Sequence, residues 1–231
     1  MGLAERPTMP DDLPIRDAAT VIIVRDGSSV LMGQRGSKAV FMPGKFVFPG
    51  GAVDAGDQDI PIGPMGGACD ARLGEDCAIA PNALLAAAVR ELWEETGQII
   101  GDPGDWPDAP PGWDGFAATG HRPTAAPLSF FFRAVTPRGR PRRFDARFFL
   151  ADAADLRSDP DDFTGAEEEL SHLQWVPLKE ARRFDLPFIT QVVLAELMGH
   201  LKHGGPVQDV PFFRNNDEDH LISRLGGASP L

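Results

Sequence analysis

Arg90-Glu91-Leu92-Trp93-Glu94-Glu95-Thr96-Gly97 is the stretch that decides how this chain is read. Upstream of it, residues from Ala83 onward are strong helix formers, Asn82 is a good N-cap, and Leu84, Leu85, Ala88 and Leu92 recur at helical spacing. Gly97 suits the left-handed position after a helix end. The pattern predicts one helix from about Asn82 to Thr96. On it Glu91 and Glu95 stand one turn apart, Glu94 lies beside both, and Arg90 faces Glu94. Carboxylates crowded at the negative end of a helix dipole cost roughly 1–2 kcal/mol without compensation. Arg90 supplies one positive charge, and a hard divalent cation bound through oxygen would supply the rest. A solvated acidic helix end is the plain alternative.

Working outward, Phe48-Pro49-Gly50-Gly51 reads as a tight turn whose backbone can approach a phosphate or a metal unobstructed. Before it, Ala18–Val24 and Val30–Met32 read as two antiparallel strands around Asp26-Gly27, and Phe41 to Gly51 holds a short aromatic strand between turns. Gln58 to Pro81 is rich in Gly, Pro and small residues without a period, so it reads as an irregular insertion. Beyond the helix come a Pro/Gly/Trp loop at 101–115 and strand candidates at Phe116–Gly120, Leu128–Val135 and Phe144–Leu150. An acidic loop, Asp152–Glu169, precedes a short strand, Leu173–Val176. Helices are expected from near Leu178 and from Pro187 to about His203. Strands outnumber helices and cluster as hairpins, which points to an α+β domain with a mixed or antiparallel sheet and helices on its faces. The expected organisation is one domain over 14–205, interrupted by an insertion at about 58–81, with 206–231 as a C-terminal arm or tail.

Composition narrows the function classes. The chain has 231 residues, 42% hydrophobic and 24% charged, which is a globular mix with length for one decorated domain. A net charge of −12 argues against a nucleic-acid polymer as partner. A small phosphorylated ligand is compatible with it, because local Arg residues, backbone amides and a bound cation can hold one. No run of 18 apolar residues argues for a membrane span, and Met1–Asp12 lacks the order of a signal peptide, so the cytoplasm is the expected location. Cys69 and Cys77 lack zinc or redox spacing and read as plain thiols. His121, His172, His200, His203 and His220 are scattered and take no role.

Gly51, Asp57 after five intervening residues, and then Arg90 through Gly97 resemble the signature of the Nudix hydrolases, Gly-x5-Glu-x7-Arg-Glu-U-x-Glu-Glu-x-Gly-U, where U is bulky and apolar. Asp57 is shorter than the usual Glu, residues 58–89 stand where the family has seven, and Gln98 replaces the final apolar residue. The resemblance implies a Nudix fold, a mixed β-sheet sandwiched between α-helices. It also implies cleavage of the diphosphate bond of a nucleoside diphosphate linked to another moiety. Mg²⁺ or Mn²⁺ would then be held by Glu91, Glu94 and Glu95 with a backbone carbonyl near Gly51, while Arg90 orients the carboxylates. In the family a general base often comes from a later loop before a Trp-bearing strand, which implies Glu168 here, with Glu167 and Glu169 beside it.

The substrate follows from the same resemblance. Leu31, Arg35, Gly44 and Phe48-Pro49-Gly50-Gly51 keep the frame of a motif carried by the coenzyme A diphosphatases, although Gly33, Gly36 and Val40 depart from it. With the split box and Arg143–Phe149, the chain looks most like the branch containing the peroxisomal coenzyme A diphosphatase-like proteins. This implies coenzyme A or acyl-CoA as substrate, with ADP-ribose or a dinucleotide as the alternative and Arg35 and Arg147 meeting phosphates. A non-catalytic Nudix-fold module that binds such a ligand is the alternative of another class. Two roles are open to the insertion, a lid over the site and a homodimer contact.

Overall fold

The computed structural model describes residues 13–66, 69–215 and 220–225, and the side chains of Asp70, Asn215 and 220–225 are left aside. The stretch weighed as a leader, Met1–Asp12, and the end of the expected arm, 226–231, lie outside the described residues.

The chain opens with β1 (Ile15–Arg25), which turns through Asp26 and Gly27, both left-handed, into β2 (Ser29–Arg35). The expected aromatic strand is two short ones, β3 (Phe46–Val47) and β4 (Gly50–Ala52), split by Phe48-Pro49. After the insertion comes α1 (Pro81–Thr96), then β5 (Gly101–Pro103), α2 (Asp114–Ala118) and β6 (His121–Pro123). The second half holds β7 (Ser129–Val135), β8 (Arg143–Asp152), β9 (Leu170–Pro177), α3 (Phe188–His203), β10 (Val210–Asn215) and β11 (His220–Leu225).

One nine-stranded sheet runs β11-β10-β7-β8-β1-β2-β3, with β4 also on β1 and β9 on β2. It is mixed: β8 runs parallel to β1 from Ile15↔Arg143 to Val24↔Asp152, β10 runs parallel to β7, and the remaining pairs are antiparallel. Being central, β1 buries both faces, so Val21, Ile22 and Ile23 read as a continuous apolar run. The registers also assign the faces. Asp17 and Ala19 share a face with Asp145, Arg147, Arg133 and Gly51. Gly51 lies against Glu91 of α1, so α1 covers that face. Ala134 and Phe213 point the other way, and there the Phe213 ring meets Phe188 of α3 at 6.1 Å. The sheet is therefore held between helices, as expected.

Local physics accounts for the departures. Helix α1 starts at Pro81, one residue before the expected cap, because proline has the helical φ preset and no N–H to satisfy. Asn82 instead donates to Gln58 O at 2.7 Å. Ala83 through Leu92 are all buried, and Ala86, Ala87 and Ala88 have no exposure at all, so the helix is enclosed rather than half-solvated. Phe116–Gly120, expected as a strand, is largely α2: Trp113 and Phe116, three residues apart, stack together and on Trp106 and Trp93. The helix expected near Leu178 is only a 3-10 turn at Ala181–Arg183, after which the chain extends and Asp185 O accepts from Phe46 N. The segment expected as an arm or tail supplies β10 and β11, which extend the sheet beyond β7 and bury Phe212 and Phe213.

The insertion is short 3-10 turns and irregular chain, anchored by buried Ile60, Met65, Cys69 and Leu73. Arg133, 3% exposed, donates to Glu75 O, Asp76 O and the carboxylate of Asp145, and stacks over Phe212. Arg214 stacks on Phe212 too and pairs with Asp76. These contacts fasten the insertion to its own sheet on the α1 face.

Candidate active site

The last turns of α1, the β3–β4 turn and the loop before β9 converge on one group of charges. Gly97 ends the helix at φ 74°, its N–H donating to Trp93 O at 2.7 Å, so Glu91, Glu94 and Glu95 sit at a sharply closed terminus. Gly97 also packs against Gly165, and Glu167 N donates to Glu94 O at 2.7 Å, which ties the acidic loop to the helix end.

Arg90 is the hub. Nε and Nη2 grip the two oxygens of Asp57 at 3.0 Å each, Nη1 donates to Glu91 Oε1 at 2.9 Å and Glu94 Oε2 at 3.0 Å, and Nη2 also reaches Ala52 O at 3.1 Å. Burial works against its charge, yet the bond to Asp57 and the fields of Glu91, Asp57 and Glu94 outweigh it and raise its pKa. Asp57, 2% exposed, also accepts from Asp54 N at 2.8 Å. The two halves of the split motif are thus joined directly, and the carboxylate of Asp57 is occupied as the anchor of Arg90.

The glutamates are held desolvated and close to backbone. Gly50 N donates to Glu95 Oε2 at 2.6 Å. A Cβ on Gly51 would fall 2.4–2.5 Å from the Glu91 carboxyl atoms, so any larger residue there would push that carboxylate out of its present position. Burial, offset in part by Arg90, pushes Glu91 up to about 7. Burial also raises Glu94, and raises Glu95 well above the ordinary carboxylate range despite the Gly50 amide. Glu95 is 2% exposed and its Oε1 is buried without a partner.

Such a donor set fits a divalent cation: hard oxygens, crowded like charges, and an orphaned buried carboxylate oxygen. Among the described residues no three acids already converge at ligating geometry, and Arg90 takes an oxygen from each of Glu91 and Glu94. Glu95 Oε1 is the donor that no protein group occupies.

Of the other residues singled out in the sequence, Arg35 reaches this group and Arg147 does not. A bulge in β2 between Met32 and Gln34 sets Arg35 opposite Leu170, and Arg35 Nη2 pairs with Glu169 Oε1 at 2.7 Å. Arg35 lies within the field of Glu95, and Glu169 within those of Glu91 and Glu95. Arg147 is 1% exposed on β8, bonded to Asp17, Asp145 O and Cys77 Sγ, so its charge is spent inside the sheet's own packing. Glu168 lies exposed in the loop that carries Glu169. Sequence reasoning ranked it ahead of Glu169, which stands just before β9 at Leu170 and is the one of the two that meets Arg35 of β2. Missed altogether was the Gly50 amide, for which the doubled glycine was the only cue.

Among the described residues no helix is long and apolar enough to cross a membrane. Comparison with known proteins agrees with the site. Over 179 residues, 71% of the chain, it is 30% identical to nudix hydrolase 7 of Caenorhabditis elegans, a provisionally named protein of which the match covers 52%. The chain thus spans about half the length of that curated relative. The crystal structure of a NUDIX hydrolase from Alicyclobacillus acidocaldarius superposes with a TM-score of 0.60 at 27% identity, covering 81% of this chain and 93% of that one. The family model described as NUDIX domain matches residues 80–197, just over half of the chain, starting where the insertion ends. With the fold, the carboxylate helix and this match in agreement, the chain belongs to the Nudix family.

Proposed function

We propose that the protein is a divalent-cation-dependent diphosphohydrolase that cleaves the diphosphate bond of a nucleoside diphosphate linked to another moiety. The single observation that carries this is the buried carboxylate of Glu95, held by the Gly50 amide with its second oxygen unpartnered beside Glu91. A buried acid left half-bonded at the end of an acidic helix is costly in the empty protein, and a cation is what relieves it.

In this reading Glu95, Glu91 and Glu94 hold Mg²⁺ or Mn²⁺ with backbone oxygen near Gly51. Bound there, the cation supplies charge neutralisation of the diphosphate and activation of water for in-line attack on phosphorus. Arg90, pinned by Asp57, fixes the rotamers of Glu91 and Glu94. Arg35 offers its guanidinium to a phosphate. The proton of the attacking water passes to a carboxylate of the 167–169 loop. What supports Glu169 over Glu168 in that role is its place in the fields of Glu91 and Glu95.

For the second half of the substrate we infer coenzyme A or an acyl derivative, on the strength of the Arg35-to-Gly51 spacing in the sequence. Arg147, enclosed in the sheet, is left out of the substrate contacts. The test is a hydrolysis panel with Mg²⁺ or Mn²⁺ covering coenzyme A, ADP-ribose, NADH and a diadenosine polyphosphate. Release of 3′-phospho-AMP from coenzyme A, faster than turnover of the others, is the expected result. No product from any of them with either metal would overturn the enzymatic reading in favour of a ligand-binding module.

A further inference from the structure

Three buried side-chain atoms among the described residues have no hydrogen-bond partner, and two of them belong to neighbours in the site: Glu95 Oε1, an acceptor, and Arg35 Nε, a donor. The donor is the less expected of the two. Arg35 is anchored through its backbone on both sides, its N–H donating to Lys45 O at 2.9 Å and its carbonyl accepting from Gly44 N at 3.1 Å. The side chain therefore leaves a fixed point at the end of β2. Its guanidinium carries a fork of donors, of which Nη2 is taken by Glu169 and Nε by nothing. Nε is shielded from solvent in a side chain that is 20% exposed, so a phosphate oxygen would reach it beside Nη2 only once Glu169 moves aside, and the edge then uncovered offers two donors to one phosphate.

The partner of Arg35 is held on uneven terms. The Glu169 side chain is 54% exposed, and it stands where the fields of Glu91 and Glu95 oppose its charge. Only Arg35 pairs with it among the contacts described. An anion that fills both positions of the fork would outcompete a half-exposed carboxylate that fills one.

We propose that the Arg35–Glu169 pair is an exchangeable latch, in which an arriving diphosphate takes the guanidinium of Arg35 and displaces Glu169. Glu169 is then an internal competitor that sets how tightly the diphosphate binds, and the displaced carboxylate is freed beside the substrate at the moment the substrate is in place. The latch rests on the reading of this site as a diphosphate site.

A binding cycle tests it without turnover. The probe is adenosine 5′-(α,β-methylene)diphosphate, whose bridging carbon is not hydrolysed, titrated with Mg²⁺ into the full chain by calorimetry. Glu169→Gln should tighten binding about three- to five-fold, the worth of a partly exposed ion pair. Arg35→Gln should weaken it about ten-fold or more, as the loss of charge-assisted bonds demands. The deciding measurement is the double variant, which should bind like Arg35→Gln alone, because the competitor has nothing left to compete for. Should Arg35→Gln fold poorly by thermal melting, Arg35→Met, which keeps the apolar stem and removes the cation, should abolish the Glu169→Gln effect in the same way. Tightening of equal size with and without Arg35 would mean simple charge repulsion and overturn the latch, as would unchanged or weaker binding by Glu169→Gln. No binding of the probe to wild type with Mg²⁺ or Mn²⁺ would overturn the diphosphate site and the latch together, whereas binding without coupling overturns the latch alone.

Discussion

Arg90 and Asp57, 33 positions apart in the chain, meet in a two-pronged buried ion pair at 3.0 Å on each arm. Asp57→Ala leaves Arg90 short of its main counter-charge. The expected loss is about 3 kcal/mol, the low end for a broken buried pair because Glu91 and Glu94 still compensate. Urea unfolding measures it, with the exposed Asp59→Ala as control. Equal midpoints for the two variants would show that the pair is not the anchor.

Glu95→Gln removes a charge from a site that burial disfavours while keeping the side-chain shape. Hydrolysis should fall by more than the roughly 10–100-fold typical of residues that only support a metal ligand. The metal-free protein should at the same time melt no lower than wild type at neutral pH. Retained turnover would show that the cation is held elsewhere.

Gly51→Ala places a methyl group where the Glu91 carboxylate now lies. The backbone at Gly51 is not left-handed, so the penalty falls on the carboxylate. The expected outcome is a large fall in kcat and in apparent affinity for Mn²⁺, with a smaller change in Tm. Normal Mn²⁺ dependence would mean that the carboxylate has another rotamer that serves equally well.

Stability should depend on pH through Glu91, raised by burial from 4.5 to about 7. A raised carboxyl binds its proton more tightly in the folded chain than in the unfolded one. Its contribution is therefore fully present below the unfolded value and is lost as pH rises through about 7. In EDTA the Tm should fall between about pH 5 and about pH 8, Glu91→Gln should flatten that fall, and Mg²⁺ should restore the Tm at the upper end. A metal-free Tm that rises across this range would contradict the burial of Glu91.

Removing residues 206–231 should prevent stable folding. Val207, Val210, Phe212 and Phe213 are all buried, and at about 1.5–3 kcal/mol each their loss rivals the roughly 5–15 kcal/mol that holds a domain together. A soluble 1–205 fragment with a native-like melting transition would restore the expectation of a dispensable arm.

The carboxylate helix was legible because its signals are local: helix formers, apolar spacing and Gly97 all fall within one short window. The same holds for β1, β2, β7 and β8. What escaped depends on contacts that spacing does not encode. Arg35 and Glu169 are 134 positions apart, and only the β2–β9 register brings them together. Phe116 sits in a short apolar run that suits strand or helix equally, and its packing on Trp93 and Trp113 decides the matter. Val210-Pro211-Phe212-Phe213 falls in the segment expected as an arm or tail, where a proline interrupts a short apolar run. Yet β10 meets β7 only from Phe212 onward, so Pro211 owes that ladder no donor.

Because the clasp between Asp57 and Arg90 closes the intervening chain at both ends, the length of that chain matters only logarithmically. Growing it from about seven residues to the present 58–89 raises the closure entropy by roughly 1.3 kcal/mol, about two doublings. This is a natural grafting point: foreign sequence could replace the irregular stretch at 61–80, provided the new tenant covers Arg133 and refills the places of Met65, Cys69 and Leu73, while the buried turns of α1 from Pro81 onward stay as they are.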